Sequence, residues 1–381
     1  MSDRSHAFIF AGGGTGGHIF PAIAIAEQLR VIDSDCECVF VCSTRPLDSE
    51  ILAKETLSGK SVAFRTVDAR PFGVRPRALW RFVSGWGRSL RESRAIIRDI
   101  ASKHSSVTVI AMGGFVAAPI AQAARVEGHR LVLVNLDAVP GLANRWISGR
   151  AAEVFTASAL SDHAPRKAKV SWKTVPPIVR TGAVTADSAQ TCRAKMGLDP
   201  DRPTLLVTGA SQGAGSINEL MIEIVRADQR AFTSSGWQII HQTGRQGADA
   251  VRRAYAEAGI PCVVEEFFRG MGVCWRAADL AVSRAGAGSV AEAWANQTPC
   301  VFMPYPYHKD EHQRFNAMPI VEANASVLVK DRIDPRLNMA DAGMTVTRLL
   351  ADHASIVRLK EAYSGLGPAD GALRIAHSIS K

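Results

Sequence analysis

The sequence lacks the patterns that mark zinc-bound, disulfide-linked and membrane-spanning proteins. No Cys-x-x-Cys motif occurs among its seven Cys, and most of them lie in apolar runs such as the segment 36–42. This distribution predicts buried, reduced thiols. No stretch of eighteen apolar residues is present, so we expect no transmembrane helix. The first residues do not have the shape of a signal peptide, and we therefore expect an intracellular protein that is soluble or lies on a membrane surface.

The chain is long enough for two domains and carries a surplus of positive charge. Its 381 residues predict two domains, because a domain typically has ~100–200 residues. Apolar residues form 47% and charged residues 21% of the chain, as in ordinary globular proteins. The net charge of +9 fits an anionic partner, although on charge alone a solvated basic surface is the simpler interpretation.

Short apolar segments alternate with helical patterns along the whole chain. This alternation predicts parallel sheets built from β-α-β units. The pattern restarts at Thr204, so the predicted fold class is α/β with two Rossmann-like halves, and the pair Pro176-Pro177 suits a linker between them. The predicted strands cover residues 7–11, 37–41, 107–112, 131–136, 153–157, 204–208, 237–242, 262–264, 280–283 and 299–303.

A glycine-rich loop follows the first predicted strand. It reads Gly12-Gly-Gly-Thr-Gly-Gly-His18 and precedes a helix with Pro21 in its first turn. Glycines let backbone N–H groups approach a phosphate, and a helix N-terminus favours negative charge. The loop also satisfies the G-x-G-x-x-G pattern of dinucleotide-binding proteins, and Arg45 after the second strand would suit NADP. This loop alone therefore leaves a dehydrogenase as an alternative.

A second loop, Thr208-Gly-Ala-Ser-Gln-Gly-Ala-Gly215, opens the second half of the chain. It matches the T-G-x-x-x-G-x-G pattern of short-chain dehydrogenases, a further rival interpretation. The loop lies mid-chain, however, with too little sequence after it for that fold. Two such loops, each at the start of an α/β unit, favour a phosphate or nucleotide site over a purely structural turn.

Two further polar segments follow predicted strands in the second half. Residues 283–293 place small side chains around a helix N-terminus, where phosphate oxygens are stabilised. Glu292 lies in the first turns of that helix, where a carboxylate can accept two hydrogen bonds from a ribose diol or simply compensate the helix dipole. The loop 303–317 is dense in hydrogen-bonding side chains, and its Gln and His suit recognition of sugar hydroxyls.

Taken together, these motifs resemble those of the MurG family of N-acetylglucosaminyltransferases. The resemblance rests on the segments 13–22, 112–116, 209–214, 284–292 and 308–317, which occur in the family's order. It implies a GT-B fold, that is, two Rossmann-like parallel-sheet domains with an interdomain cleft. The implied domains are 1–178 on the acceptor and membrane side and 179–354 for the UDP-sugar, with a C-terminal helix at 355–381 that packs back on the first.

The resemblance also implies an activity and its partners. The family transfers GlcNAc with inversion from UDP-GlcNAc to the lipid-linked diphosphate acceptor undecaprenyl-diphospho-MurNAc-pentapeptide, without a metal and without a cofactor. The reaction belongs to peptidoglycan synthesis, and hence to cell wall biogenesis, cell shape and cell division. The related alternatives are a glycosyltransferase that acts on diacylglycerol and a non-catalytic nucleotide-sugar-binding subunit.

Single residues take on roles through the same resemblance. The diphosphate is expected to contact Ser211 and Arg180, and the backbone of Phe268 to meet uracil. Glu292 is expected to hold the ribose and Gln313 the sugar. The full set of expected substrate-binding residues is Thr15, Gly16, Gly17, Asp137, Arg180, Ser211, Phe268, Ala287, Gly288, Ser289, Val290, Ala291, Glu292, His312 and Gln313.

The chain departs from the family pattern at three positions. Asn135 stands where the family has a candidate carboxylate base, Asp137 where it has a donor-site Asn, and His312 where it has the first Gln of a pair. These changes leave the donor class intact but open the identity of the general base. We name His18 and Asp137 as the catalytic candidates, because an imidazole titrates near neutral pH and His18 adjoins the phosphate loop. His18 could equally be a hydrogen-bonding residue that only shapes the loop.

Residues 75–98 combine positive charge with aromatic and aliphatic side chains. The segment contains seven Arg and one acidic residue, Glu92. An amphipathic helix packed on its own core would explain the periodicity, and Gly85 and Gly87 weaken a single continuous helix. With Trp80 and Trp86, the segment also suits an anionic membrane surface. No nucleic-acid-binding motif accompanies it, so we expect no nucleic-acid partner and a peripheral position on the cytoplasmic face of the membrane.

Overall fold

The chain forms two compact units of α/β structure. A computed structural model describes residues 6–13, 16–73, 75–160, 171–210, 213–245 and 247–381. The first unit consists of Met1–Arg180 together with Asp370–Lys381, and the second consists of Thr181–Ala369.

The first unit is a parallel sheet flanked by helices. Its strands are β1 (His6–Ala11), β2 (Glu37–Ser43), the hairpin pair β3 (Thr56–Leu57) and β4 (Lys60–Ser61), β5 (Ala63–Val67), β6 (Ser106–Ala111), β7 (Arg130–Asn135), β8 (Glu153–Thr156) and β9 (Trp172–Thr174). Its helices are α1 (Gly16–Ile32), α2 (Pro46–Leu52), α3 (Pro76–Ala101), α4 (Gly114–Val126) and α5 (Leu142–Ser148). Apart from the separate hairpin, the strands lie in the order β5-β2-β1-β6-β7-β8-β9.

The second unit repeats this architecture. Its strands are β10 (Thr204–Thr208), β11 (Gln238–Gln242), β12 (Cys262–Glu265), β13 (Leu280–Ser283), β14 (Cys300–Phe302) and β15 (Val327–Leu328), in the order β12-β11-β10-β13-β14-β15. Its helices are α6 (Ala189–Lys195), α7 (Gly215–Ala227), α8 (Arg230–Thr233), α9 (Ala248–Glu257), α10 (Met271–Ala277), α11 (Ala287–Asn296), α12 (His312–Glu322), α13 (Pro335–Asn338), α14 (Met344–Ala351) and α15 (His353–Ala362).

Both faces of the second sheet are buried, because alternate residues of each strand point to opposite faces. Leu205 and Val207 of β10 belong to one apolar cluster, and Leu206 between them belongs to another. Apolar side chains on both faces explain why the strands appear in the sequence as continuous apolar runs. The two sheets confirm the predicted α/β class with two Rossmann-like halves.

The chain returns to the first unit at Asp370. Its last helix, α16 (Gly371–Ile379), packs on α1. The N–H of Gly371 donates to the carbonyl of Pro177, and a side chain at position 371 would collide with Pro176. The sequence placed this return at 355, whereas in the structure Ile356 of α15 belongs to an apolar cluster of the second unit. Among the described residues, no helix is both long enough and apolar enough to cross a membrane.

Candidate active site

The first glycine loop lies at the carboxyl end of β1, above a buried carboxylate. Asp48 is fully buried and accepts hydrogen bonds from the N–H (3.3 Å) and the hydroxyl (2.5 Å) of Ser43. A Cβ at Gly13 would lie 2.6 Å from Oδ2 of Asp48, so the loop can pass over this carboxylate only as glycine. The sequence prediction missed Asp48, whose only signal was its place in the first turn of α2, where carboxylates are favoured.

Two of the three residues predicted in this loop are among those that the structure describes. Gly16 is buried and Gly17 exposed in the first turn of α1. Thr15 lies outside the described residues.

The imidazole of His18 lies against the start of α4. A Cβ at Gly113 would lie 3.1 Å from Nε2 of His18, and Gly113 has a φ of 107°, so this position requires glycine twice over. Burial lowers the pKa of His18 below its ordinary value, and the charges of Asp137 and Asp48 and the backbone of Gly13 offset only part of this. The ring is therefore neutral near pH 7 and able to accept a proton.

The side chain of Asn135, at the end of β7, is held by three hydrogen bonds. Its amide nitrogen donates to the carbonyl of Asp137 (2.6 Å) and to the hydroxyl of Thr156 (3.1 Å), and its oxygen accepts from Asn144 (2.9 Å). Because the residue is fully buried, a carboxylate in its place would lose the bond to the carbonyl of Asp137 and set two acceptor oxygens against each other. Asn135 therefore positions the loop that carries the half-buried Asp137 and is not itself a proton acceptor.

Arg180 is held within the first unit. Its guanidinium pairs with Glu55, with 3.1 Å between Nη1 and Oε1, and lies 4.5 Å from the centre of the Phe20 ring. The side chain is 16% exposed. A diphosphate contact through Arg180, as the sequence predicts, would have to compete with Glu55.

The second glycine loop is closely packed at the carboxyl end of β10. A side chain at Gly209 would collide with Ala214, and one at Gly213, which has a φ of 75°, would collide with Thr243. The backbone alone therefore forms this turn into α7. Ser211 lies outside the described residues.

Helix α11 begins at the carboxyl end of β13 and carries six of the predicted substrate-binding residues, Ala287, Gly288, Ser289, Val290, Ala291 and Glu292. Among the described residues, nothing lies within 4 Å of a Cβ built on Gly288, so the helix N-terminus is open to a ligand. Oε2 of Glu292 accepts a hydrogen bond from the indole N–H of Trp275 across 2.7 Å. This bond fixes the carboxylate on the helix, and the sequence did not reveal it.

A buried ion pair in the second unit links the N-termini of helices α7 and α11. Arg284, just before α11, contacts Asp331 and the hydroxyl of Ser216 in the first turn of α7. Asp331 also accepts from the N–H of Ile333 and the amide of Asn338. Burial tends to raise the pKa of Asp331, but the hydrogen bonds outweigh it, first those of Ser216 and Asn338, and the pKa lies below its ordinary value.

Phe268 follows β12 and lies in the same group of loops. Its backbone N–H donates to Oε1 of Gln242 across 2.9 Å. The amide of Gln242 in turn donates to the carbonyl of Ala210 in the glycine loop (3.1 Å). A uracil contact at Phe268 would therefore fall beside a hydrogen bond that already links this loop to the glycine loop.

The first turn of α12 carries His312 and Gln313. Oε1 of Gln313 accepts from the N–H of Tyr305 (2.9 Å), and Nδ1 of His312 lies 2.8 Å from Oδ1 of Asp310. The ring of His312 also packs on that of His308, with 4.4 Å between centroids. Burial tends to raise the pKa of Asp310, but His312 outweighs it and the pKa lies below its ordinary value. These contacts order a polar surface at the carboxyl end of β14.

Comparison with known proteins decides between the alternatives left open by the glycine loops. Residues 8–156 match the glycosyltransferase family 28 N-terminal domain, and residues 204–336 match the family 28 C-terminal domain. A relative from Nocardioides sp. is 33% identical over 372 residues, which cover 97% of this chain and 96% of its own. One from Clavibacter michiganensis subsp. michiganensis is 35% identical over 381 residues, covering 98% and 95%. Both are named UDP-N-acetylglucosamine--N-acetylmuramyl-(pentapeptide) pyrophosphoryl-undecaprenol N-acetylglucosamine transferase.

The chain belongs to the MurG family of glycosyltransferase family 28. Solved structures agree on the fold: MurG of Acinetobacter baumannii aligns with a TM-score of 0.72 at 22% identity and covers 99% of both chains. Phytolacca americana UGT2, complexed with UDP-2fluoro-glucose and pterostilbene, aligns at 0.64 and 14%, with 99% of both chains covered. The predicted GT-B class is confirmed.

Membership of the MurG family makes the chain a UDP-sugar glycosyltransferase and excludes both dehydrogenase interpretations. Short-chain dehydrogenases also need a Tyr-x-x-x-Lys pair, a spacing that on a helix brings both side chains to one face and that Tyr305 and Lys309 have. In this MurG-family structure they lie in the loop before α12. Among the described residues, no group of three or more His, Cys, Asp or Glu is placed to hold a metal ion.

Proposed function

We propose that this enzyme transfers GlcNAc from UDP-GlcNAc to the MurNAc of undecaprenyl-diphospho-MurNAc-pentapeptide. The observation that carries the proposal is that relatives bearing this activity in their names align with 97–98% of the chain. The glycine loops and helix N-termini at the carboxyl ends of both sheets supply the backbone N–H groups that a diphosphate donor needs. The reaction would serve peptidoglycan synthesis, and hence cell wall biogenesis, cell shape and cell division.

The acceptor is tested by incubating the full chain with UDP-GlcNAc and an analogue of the lipid-linked MurNAc-pentapeptide. We expect a disaccharide product and release of UDP. Transfer to diacylglycerol instead would favour the related glycolipid synthase. Binding of UDP-GlcNAc without transfer to either acceptor would identify a non-catalytic nucleotide-sugar-binding protein.

The donor site is proposed to lie on the second unit, with Glu292 at the ribose. Its carboxylate is already oriented by Trp275, in the second turn of a helix whose N-terminus is open. Ala287 to Ala291 would wrap the phosphates with Ser211, Gln313 and His312 would face the sugar, and Phe268 the uracil. Arg180 would reach the diphosphate by exchanging its partner Glu55 for phosphate.

Calorimetry of UDP binding tests the role of Glu292. Glu292→Ala should weaken binding by ~1.5–3 kcal/mol, because it removes charge-assisted hydrogen bonds to the ribose. Glu292→Gln keeps an oxygen for Trp275 and should lose less. Glu322→Ala removes the same charge from the exposed end of α12 and serves as the control. Unchanged affinity in Glu292→Ala would refute the assignment.

Catalysis is proposed to use His18 as the general base. The acceptor hydroxyl attacks the anomeric carbon of GlcNAc, its proton passes to the neutral imidazole, and the bond to UDP breaks with inversion. Asp137 and Asp48 favour the protonated ring electrostatically, so they stabilise the imidazolium as it forms. UDP departs as an anion, and the backbone N–H groups at the start of α11 stabilise its diphosphate.

The first half of α3 is proposed to dock on the cytoplasmic face of an anionic membrane. The second half packs on the core through Ser89, Ser93, Ile97 and Ile100. The first half leaves apolar side chains in solvent: Trp80 is 71% and Val83 63% exposed. Among the described residues, no carboxylate lies in ion-pair range of Arg75, Arg77, Arg81 or Arg91. An exposed apolar face beside unpaired arginines suits the anionic leaflet that holds a lipid-linked acceptor.

Co-sedimentation with vesicles tests this docking surface. Anionic vesicles should bind the protein in a salt-sensitive manner, and Arg81→Glu with Arg88→Glu should weaken binding. Val83→Ser should also weaken binding. Val31→Ser is the matched control, because it makes the same change at an exposed residue (78%) at the end of α1, and it should leave binding unchanged. Equal binding by the wild type and the Arg double variant would show that residues 75–98 are not the docking surface.

A further inference from the structure

A polar pocket of about 470 Å³ opens beside the first half of α3. It lies between the helix and the segment that follows β5, and it takes no part in the active site described above. Its lining residues are Asp68, Arg70, Arg81, Ser84, Gly85 and Arg88.

Helical periodicity explains how the pocket forms. Residues three and four apart share a helix face, so Arg81, Ser84, Gly85 and Arg88 form one stripe. This stripe runs alongside the exposed apolar face that includes Trp80. A Cβ at Gly85 would lie 3.3 Å from Cγ of Arg70, so the absence of a side chain there keeps the pocket open.

The pocket has a surplus of positive charge. Asp68 lies 3.2 Å from Nη2 of Arg70 and 3.8 Å from Nη1 of Arg88. Asp68 is itself anchored to α3, because its N–H donates to Glu92 and its carbonyl accepts from Ser89. Three guanidinium groups therefore face one carboxylate, and among the described residues no carboxylate pairs with Arg81.

We propose that this pocket binds the dianionic phosphate of a lipid head group. The inference rests on the proposed membrane docking and adds selectivity to it. Two surplus positive charges match a phosphomonoester, and the planar fork of arginine suits phosphate oxygens. Exposed Trp side chains sit at the level of the head groups in a membrane. Docking through Trp80 would therefore bring the pocket to the depth where lipid phosphates lie.

The test compares vesicles of phosphatidylcholine that contain either phosphatidate or phosphatidylserine, matched in zeta potential. A diffuse basic surface senses only charge density, whereas the pocket should prefer phosphatidate. Arg81→Gln with Arg88→Gln should abolish this preference. Arg77→Gln with Arg91→Gln removes the same charge from α3 outside the pocket and should keep it. Either double variant should lower the overall affinity for the anionic vesicles by about fivefold per arginine removed.

A second pair of variants tests the cavity without changing charge. Gly85→Gln should fill the pocket and abolish the preference, whereas Gly87→Gln, where a built Cβ meets no described atom within 4 Å, should not. Circular dichroism and thermal unfolding check that every variant is folded. Soluble glycerol phosphate should reduce the preference only at high concentration if the lipid is the true source, and full competition at low concentration would instead identify a site for a free phosphate ester.

The outcomes separate this inference from the docking proposal. Vesicle binding without any phosphatidate preference in the wild type, or equal loss of the preference in both arginine pairs, overturns the pocket and leaves docking in place. Absence of binding to all anionic vesicles overturns docking, and the pocket's role with it.

Discussion

Nη1 of Arg284 lies 2.7 Å from Oδ2 of Asp331, and both side chains are buried in the second unit. Asp331 also accepts from the hydroxyl of Ser216 across 2.6 Å. The pair thereby ties the starts of α7 and α11 to the segment that follows β15. Both terminal nitrogens of Arg284 are engaged in this network, so its guanidinium positions the donor loops.

Removal of Asp331 should therefore destabilise the second unit strongly. Asp331→Ala leaves the guanidinium of Arg284 buried without a countercharge, which typically costs ~3–5 kcal/mol. Urea denaturation measures the change. The exposed pair Arg332–Asp341 offers the matched control, and Asp341→Ala should cost at most about 1 kcal/mol. Equal effects of the two variants would mean that the buried pair contributes no more than a surface one.

His18→Ala should reduce turnover far more than donor binding. The loss of a general base typically costs ~100- to 10,000-fold in rate. Steady-state kinetics gives kcat, and calorimetry gives the affinity for UDP-GlcNAc. If Asp137→Asn proves more damaging than His18→Ala while the protein remains folded, Asp137 is the base.

The acidic limb of the pH–rate profile also tests the assignment of His18 as the general base. Because burial lowers the pKa of His18, kcat/KM should hold as pH falls to about 6.5 and drop only below it. Asp137 raises this pKa through its charge, so Asp137→Asn should move the limb to lower pH. A limb that stays in place or moves upward would contradict the electrostatic coupling of the two residues.

His241 should make folding stability depend on pH. Burial lowers its pKa to about 3, and the ring nitrogens lie 2.8 Å from the hydroxyl of Tyr255 and 3.0 Å from Oδ1 of Asn218. The unfolded chain, with an ordinary histidine pKa, therefore binds the proton first as pH falls. This residue's contribution is full above about pH 6.5 and declines by about 1.4 kcal/mol per pH unit towards pH 3.

The His241 contribution is isolated by a difference measurement. The free energies of unfolding of wild type and His241→Gln are compared at each pH, so that other titrating groups cancel. The difference should shrink between pH 6.5 and pH 3. A difference independent of pH would show that His241 is accessible to protons in the folded protein.

The strands that form the centre of each sheet and the edge strand β12 could be predicted from the sequence, whereas the edge strands β5, β9 and β15 could not. Central strands are buried on both faces and appear as apolar runs, as in Thr204–Thr208. Residues 63–67 and 172–174 form edge strands β5 and β9, where most side chains are exposed or half-buried and no apolar run marks them. Partners across the sheet define these strands, and sequence patterning does not encode partners.

The candidate site divides in a similar way. Glycine loops and helix starts were predictable because glycine and small residues have local geometric causes. The partners of the charged groups were not, because they are distant in sequence: Glu55 for Arg180, Trp275 for Glu292 and Asp331 for Arg284. Contacts of this kind decide whether a charge is available to a ligand.

The return of the chain at Asp370 has a consequence for biosynthesis. Helix α16 completes the first unit, with Ile375 and Ile379 buried in it and Arg130 of β7 donating to the carbonyl of Ile379. A ribosome delivers all of Thr181–Ala369 before it delivers this helix. The second unit therefore has its whole sequence available for folding while the first unit still lacks helix α16. The unit that is translated first is thus the last to be completed.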